Sequence, residues 1–180
     1  MVYCFLADGF EELEAIAPID MLKRAGVEVV TVGVTGKNVT GSHGITFVAD
    51  ITEDDVFLDE KLDAVILPGG MPGTLNLEKS ETVQSAIDFA HKNGILLCAI
   101  CAAPSIFGHK GLLSGKNATA FPGFEKELEG ANVNGDFVVR DGNIITAKGA
   151  GVATEFGLEI VSCLVSKEKS DEIKDTIQSR

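Results

Sequence analysis

Ile95-Leu96-Leu97-Cys98-Ala99-Ile100-Cys101-Ala102-Ala103-Pro104 is the stretch that decides the fold. Its first six residues form a short apolar run behind Gly94, which reads as a buried strand. The segment from Ala102 to His109 reads as a helix with Pro104 in its first turn, where a missing N–H costs nothing. Cys101 therefore stands on a sharp strand-to-helix turn, the position of a nucleophile elbow. A sulfur there faces the positive end of a helix dipole, which favours thiolate over thiol.

The same alternation of apolar strands and amphipathic helices continues in both directions. Strands are expected at Val2–Ala7, Val27–Val34, Ile45–Val48, Ala64–Leu67, Ile95–Ala99, Phe137–Arg140 and Ile144–Ala147. Helices are expected at Glu11–Ala25, Val83–Lys92, Ala102–Phe107, Val152–Val165 and Asp171–Gln178. Gly26 and Asn93-Gly94 are helix stops, and Asp141-Gly142-Asn143 is a hairpin turn. The pattern predicts one α/β domain over residues 1–180, with a mostly parallel sheet and helices on both faces. Ligands of such sheets bind beyond the carboxyl ends of the strands. Three loops lie there: Asp8-Gly9-Phe10, Pro68-Gly69-Gly70-Met71-Pro72-Gly73, and Cys101 with its neighbours.

The chain carries 15 Lys and Arg against 27 Asp and Glu, a formal net charge of −12. That balance argues against nucleic acid or an anionic membrane surface as a partner. Part of the charge is a cluster, Asp50, Glu53, Asp54, Asp55, Asp59 and Glu60, which reads as a solvated face. No apolar run approaches the length of a membrane span. The N-terminal residues enter a strand and do not resemble a signal peptide. Four cysteines in this setting predict free thiols in a reducing cytoplasm.

Cys98 and Cys101 make a C-x-x-C spacing. Cys98, however, falls inside the strand, so a thioredoxin-like pair is not the favoured reading. No second C-x-x-C or paired histidines follow, so no zinc site is expected. Cys4 and Cys163 lie in apolar strand and helix patterns and read as core. On the first helix Phe10, Glu14, Ala17 and Met21 share one face, which puts Glu14 on a largely apolar stripe; Glu11 and Glu12 are displaced around the helix. Two readings of Glu14 stand. Desolvation raises a buried carboxyl's pKa and lets it donate to a thiolate, or the group simply interacts with the helix N-terminus. Gly69 and Gly70 after a strand allow backbone N–H groups close to a ligand or oxyanion. Of the three histidines, His91 is a surface residue and His109 is two turns beyond the sulfur. His43 is on a loop, so no base for a Cys-His hydrolase is placed by local sequence.

The stretches Asp8-Gly9-Phe10-Glu11-Glu12-Leu13-Glu14, Leu67-Pro68-Gly69-Gly70, Ala99-Ile100-Cys101-Ala102-Ala103-Pro104 and Lys148-Gly149-Ala150-Gly151 together resemble the ThiJ/PfpI superfamily, in the branch of the parkinsonism-associated protein deglycase and its bacterial homologues. The resemblance covers nearly the whole chain. It implies a flavodoxin-like three-layer sandwich, a homodimer, and no cofactor. It implies that Cys101 is the nucleophilic, oxidisable cysteine and that Glu14 is the protonated carboxyl beside it. It places an anion pocket at the backbone of Gly69, Gly70 and Ala102. Two departures stand out. Phe121 occupies the place where the glyoxalase and deglycase branch carries histidine, and phenylalanine cannot shuttle a proton. Ala102 follows the cysteine where the protease-like branch has histidine. His43 stands where relatives carry an arginine near the dimer interface.

The first functional expectation is a redox-responsive cysteine protein, oxidised at Cys101 to sulfinate in oxidative stress, which needs no histidine. The alternative is a glyoxalase or deglycase acting on methylglyoxal or glycated groups through Cys101 and Glu14. An amidase or peptidase ranks below these, and a non-catalytic chaperone or binding role completes the set.

Overall fold

The computed structural model describes residues 1–179. In chain order the strands are β1 (Val2–Leu6), β2 (Val29–Gly33), β3 (Asn38–Thr40), β4 (Thr46–Val48), β5 (Ile51–Thr52), β6 (Ala64–Leu67), β7 (Leu96–Ile100), β8 (Asn117–Ala118), β9 (Asn132–Val133), β10 (Val138–Asp141) and β11 (Ile144–Ala147). The α-helices are α1 (Glu12–Arg24), α2 (Gly73–Lys79), α3 (Glu81–Asn93), α4 (Pro104–His109), α5 (Ala153–Leu164) and α6 (Lys167–Thr176). Seven strands form one sheet in the order β10-β11-β7-β6-β1-β2-β5. Every pairing in it is parallel except β10 with β11, the hairpin turned by Gly142.

Side chains that alternate across the sheet build two cores. Val2, Cys4 and Leu6 of β1 face α1, α5 and α6 through Ile19, Leu22, Phe156, Ile160 and Ile173. Tyr3 and Phe5 face α2, α3 and α4 through Leu77, Ile87, Ile106 and Phe107. The result is the expected α/β three-layer sandwich. Glu14 is a charged exception within the first layer: it rides on the buried face of α1 and is 1% exposed.

Several boundaries differ from the sequence expectation for local reasons. Gly73–Lys79 is a helix, although its Pro- and Gly-rich approach reads as loop. The C-terminal helix begins at Lys167, four residues before the expected Asp171, because the Ser166 side chain caps it by accepting from the Lys169 N–H. The helix after Cys101 begins at Pro104, and residues 101–103 form a turn. The expected strand at Ile45–Val48 belongs to a separate two-stranded hairpin, β3–β4, rather than to the central sheet. The acidic stretch is not uniformly solvated: the Asp50 carboxylate accepts from both the N–H and the hydroxyl of Thr31. Among the described residues no helix is long and apolar enough to cross a membrane.

Candidate active site

Cys101 leaves β7 with φ +66°, a left-handed backbone that non-glycine residues seldom adopt. Two hydrogen bonds hold it there. Its N–H donates to the Ala147 carbonyl at 2.8 Å, and its carbonyl accepts from the Phe121 N–H at 2.8 Å. The elbow is thus clamped between the ends of β11 and the segment after β8. Strain of this kind costs on the order of 1–3 kcal/mol and persists only where surrounding contacts impose it. Here it turns the side chain out of the sheet to a half-buried position.

Glu14 reaches the sulfur from α1. Its Oε2 accepts from the Gly69 N–H at 2.9 Å, and its carboxyl is hydrogen-bonded to the Cys101 side chain and the Ala150 N–H. Burial dominates its protonation and raises its pKa to about 7. Gly69 has no room for a side chain: a Cβ would lie 2.6 Å from both Cys101 Cβ and Glu14 Oε2. Gly70 is left-handed at φ +88°, and a Cβ there would lie 2.4 Å from the Glu11 nitrogen. The N–H groups of Gly70 and Ala102 point to the Cys101 sulfur and favour its charged form. Gly69, expected in the same anion pocket, instead commits its N–H to Glu14.

The helix dipole expected to favour the thiolate is opposed by other forces in the folded chain. Burial and then the Glu14 carboxylate push the Cys101 thiol up to about 12, and these outweigh the two N–H donors and a short six-residue helix. Burial thus favours the proton-bound form of both members of the pair. A proton can pass from sulfur to carboxylate once the sulfur begins to bond elsewhere.

The other singled-out residues are placed apart from this pair. Cys98 is fully buried in the α1-facing core with Cys4, all four cysteines are free, and Cys163 is half-buried on α5. His43 is held at 3.0 Å from Glu12 Oε2 and 3.2 Å from Glu11 Oε2. Glu12, displaced from the apolar stripe as expected, is nevertheless buried beneath the β3–β4 hairpin. It accepts from the His43 and Ile45 N–H groups at 2.9 and 3.3 Å. The sequence signal for this was Gly41, where a Cβ would sit 2.3 Å from the Glu12 carboxyl. His109 lies between Glu78 and Glu127, far along α4. Sequence reasoning gave no role to the loop after β11. There Ala150 supports Glu14, and Gly149 separates that carboxyl from the Phe121 ring.

A cysteine on a strained elbow, faced by a buried carboxyl and two backbone donors, defines a class of α/β protein with a cysteine-centred candidate site. The chain belongs to the DJ-1/PfpI family, whose pattern it matches over residues 1–163. It is 38% identical to Protein dj-1beta of Drosophila melanogaster, over 93% of this chain and 91% of the relative. The crystal structure of that fly protein superposes with a TM-score of 0.93 and 35% identity, covering 99% of this chain and 97% of the other. The structure of oxidized Toxoplasma gondii DJ-1 superposes with a TM-score of 0.91 and 31% identity, covering 99% of this chain and 97% of the other. A Caenorhabditis elegans relative named Glutathione-independent glyoxalase DJR-1.2 is 32% identical, over 91% of this chain and 87% of its own.

Proposed function

We propose that this protein is a cofactor-independent glyoxalase-type enzyme that converts 2-oxoaldehydes such as methylglyoxal to 2-hydroxy acids through Cys101 and Glu14. The observation that carries the reading is Glu14, a carboxyl held beside the sulfur with a pKa of about 7, where a proton carrier works in both directions. The glyoxalase name of the nematode relative supports it. As Sγ attacks the aldehyde carbon, the Glu14 carboxylate takes the thiol proton and returns it to the new alkoxide, giving a hemithioacetal. Glu14 then removes the C1 proton and delivers it to C2, while the C1 hydroxyl proton passes to the C2 oxygen, which leaves a thioester. Water releases the 2-hydroxy acid and restores the thiol. The Gly70 and Ala102 N–H groups steady the negative oxygen. No step needs the histidine replaced by Phe121. Methylglyoxal turnover to lactate should disappear in Cys101→Ser; equal turnover in that variant refutes the reading. Glycated groups, which present the same carbonyl carbon as an adduct, are a second substrate class for one and the same pair.

The oxidation-sensitive reading is favoured by a separate observation. Cys101 is half-exposed, and the two N–H donors beside it suit a sulfinate as well as an alkoxide. A relative was solved in an oxidized form. Peroxide titration read by peptide mass spectrometry should add two oxygens to Cys101 before Cys4, Cys98 or Cys163; indiscriminate oxidation refutes it. Homodimerisation is supported by an apolar surface: Leu13 is 60% exposed on α1, and Ile45 and Val48 on the β3–β4 hairpin are 58% and 63% exposed. Four unpaired cysteines suit a reducing compartment such as the cytoplasm.

A further inference from the structure

Beside the Cys101–Glu14 pair lies a cleft of about 440 Å³, lined by Phe121, Pro122, Phe137, Lys148 and the Gly149–Val152 loop. That volume falls within the range of small-molecule sites. The Gly149 backbone stands between its Phe121 ring and the Glu14 carboxyl. A Cβ on Gly149 would lie 3.2 Å from the Phe121 ring and 3.7 Å from Glu14 Oε1, while the other Glu14 oxygen accepts from the Gly69 N–H. The Phe121 N–H is also bonded to the Cys101 carbonyl, so the ring and the sulfur are fixed to one backbone unit. Phe121 and Phe137 are 48% and 65% exposed, a costly display for two rings so close to a nucleophile. Lys148 extends over Phe137, its Nζ 4.9 Å from the ring centre.

We infer that this cleft is the side-group subsite of the enzyme and that it selects aromatic 2-oxoaldehydes, of which phenylglyoxal is the simplest, over methylglyoxal. The inference rests on the glyoxalase reading of the Cys101–Glu14 pair for its chemistry, but not for its geometry. A substrate bound through its aldehyde carbon to Sγ has its side group two bonds further on. An apolar wall on the Glu14 side is the Phe121–Phe137 cleft. A methyl group leaves most of that surface wet. An aryl ring covers it and meets two other rings in offset or tilted contact, an arrangement favourable beyond area alone. The Lys148 ammonium at the rim repels cationic side groups and tolerates neutral or anionic ones. The reaction balances as before: one C–S bond forms and breaks, one hydrogen moves from C1 to C2, and one water is consumed. Phe121 thus becomes a specificity residue in place of a proton shuttle.

Two measurements test this on the full-length protein. The first is kcat/KM for phenylglyoxal and for methylglyoxal in wild type, Phe121→Ala and Phe137→Ala. The phenylglyoxal-to-methylglyoxal ratio should fall about tenfold in each variant relative to wild type. Phe137 is largely exposed, so its variant keeps the test alive if Phe121→Ala does not fold. An unchanged ratio overturns the proposal. The second needs no turnover: the rate at which N-benzyl-2-iodoacetamide labels Cys101, relative to iodoacetamide, with Cys163 as the internal reference. Wild type should favour the benzyl reagent at Cys101, and both variants should lose that preference. Labelling preference without turnover of either aldehyde would sink the glyoxalase reading while leaving the aryl subsite standing. No labelling preference in wild type would sink the subsite. So would a Phe137→Ala variant that changes oligomeric state yet keeps the preference, because the cleft would then belong to a contact with a second copy.

Discussion

Replacing Glu14 by glutamine separates the cost of its charge from the value of its position. In the folded protein burial raises this carboxyl's pKa from 4.5 to about 7. The folded chain therefore keeps a proton that the unfolded chain has already lost. Stability must fall as pH rises through that window, because the unfolded state binds fewer protons. Two and a half pH units at ~1.4 kcal/mol each amount to about 3 kcal/mol, fully expressed above pH 7. Glutamine fills the same space, still accepts from the Gly69 N–H, and carries no charge to desolvate. Urea denaturation of both proteins at pH 4.5 and pH 8 should show the variant gaining about 3 kcal/mol on wild type across that interval. In a thermal melt this corresponds to roughly 6–12 °C for a chain of this size. Removing the negative charge also lowers the thiol, so iodoacetamide should label Cys101 faster at pH 9 while methylglyoxal turnover is lost with the base. A stability difference that does not change with pH would refute the desolvation argument. Slower labelling would refute the assignment of the Glu14 charge as a force holding the thiol up.

Further outcomes follow from other parts of the site and its scaffold. Gly69→Ala forces a methyl group against Cys101 Cβ and Glu14 Oε2, both at 2.6 Å. It should cost about 1–3 kcal/mol in chemical denaturation and lower Cys101 labelling, and wild-type values for both would mean that the loop yields freely. Glu12→Ala strips the β3–β4 hairpin of the carboxylate that accepts from His43 and Ile45. We expect a loss of about 2–3 kcal/mol at neutral pH, read from urea midpoints, with a loss below 0.5 kcal/mol counting against a structural clamp. Hydrogen bonds to Glu78 and then Glu127 hold the His109 pKa above 6.5. A raised folded value means stability present below pH 6.5 and lost as pH climbs past that value. His109→Gln should accordingly cost up to ~1 kcal/mol at pH 6, a small figure because the groups are partly solvated, and less at pH 8.5; a cost that grows with pH would reverse the assignment.

The local sequence carried the strand–elbow–helix unit around Cys101, because an apolar run, a cysteine and a proline within ten residues leave few backbone paths. Hydrophobic periodicity likewise determined the sandwich, since strands of period two and helices of period 3.6 can bury their faces only in layers. Glu14 was legible as a carboxyl on an apolar stripe, but its partner was not. The Glu14 carboxyl is set by Gly69, 55 residues away, and by Ala150, 136 residues away, which only the parallel register of β6, β7 and β11 brings to one end of the sheet. The forces on the sulfur's proton belong to the tertiary structure: a helix N-terminus near Cys101 suggested a thiolate, whereas burial and a neighbouring carboxylate, both long-range consequences of packing, raise the thiol pKa. Phe121 shows the same division. Sequence alone could single out Phe121 as a departure from the family it resembles, but only the folded chain sets its ring in one cleft with Phe137, Lys148 and Gly149.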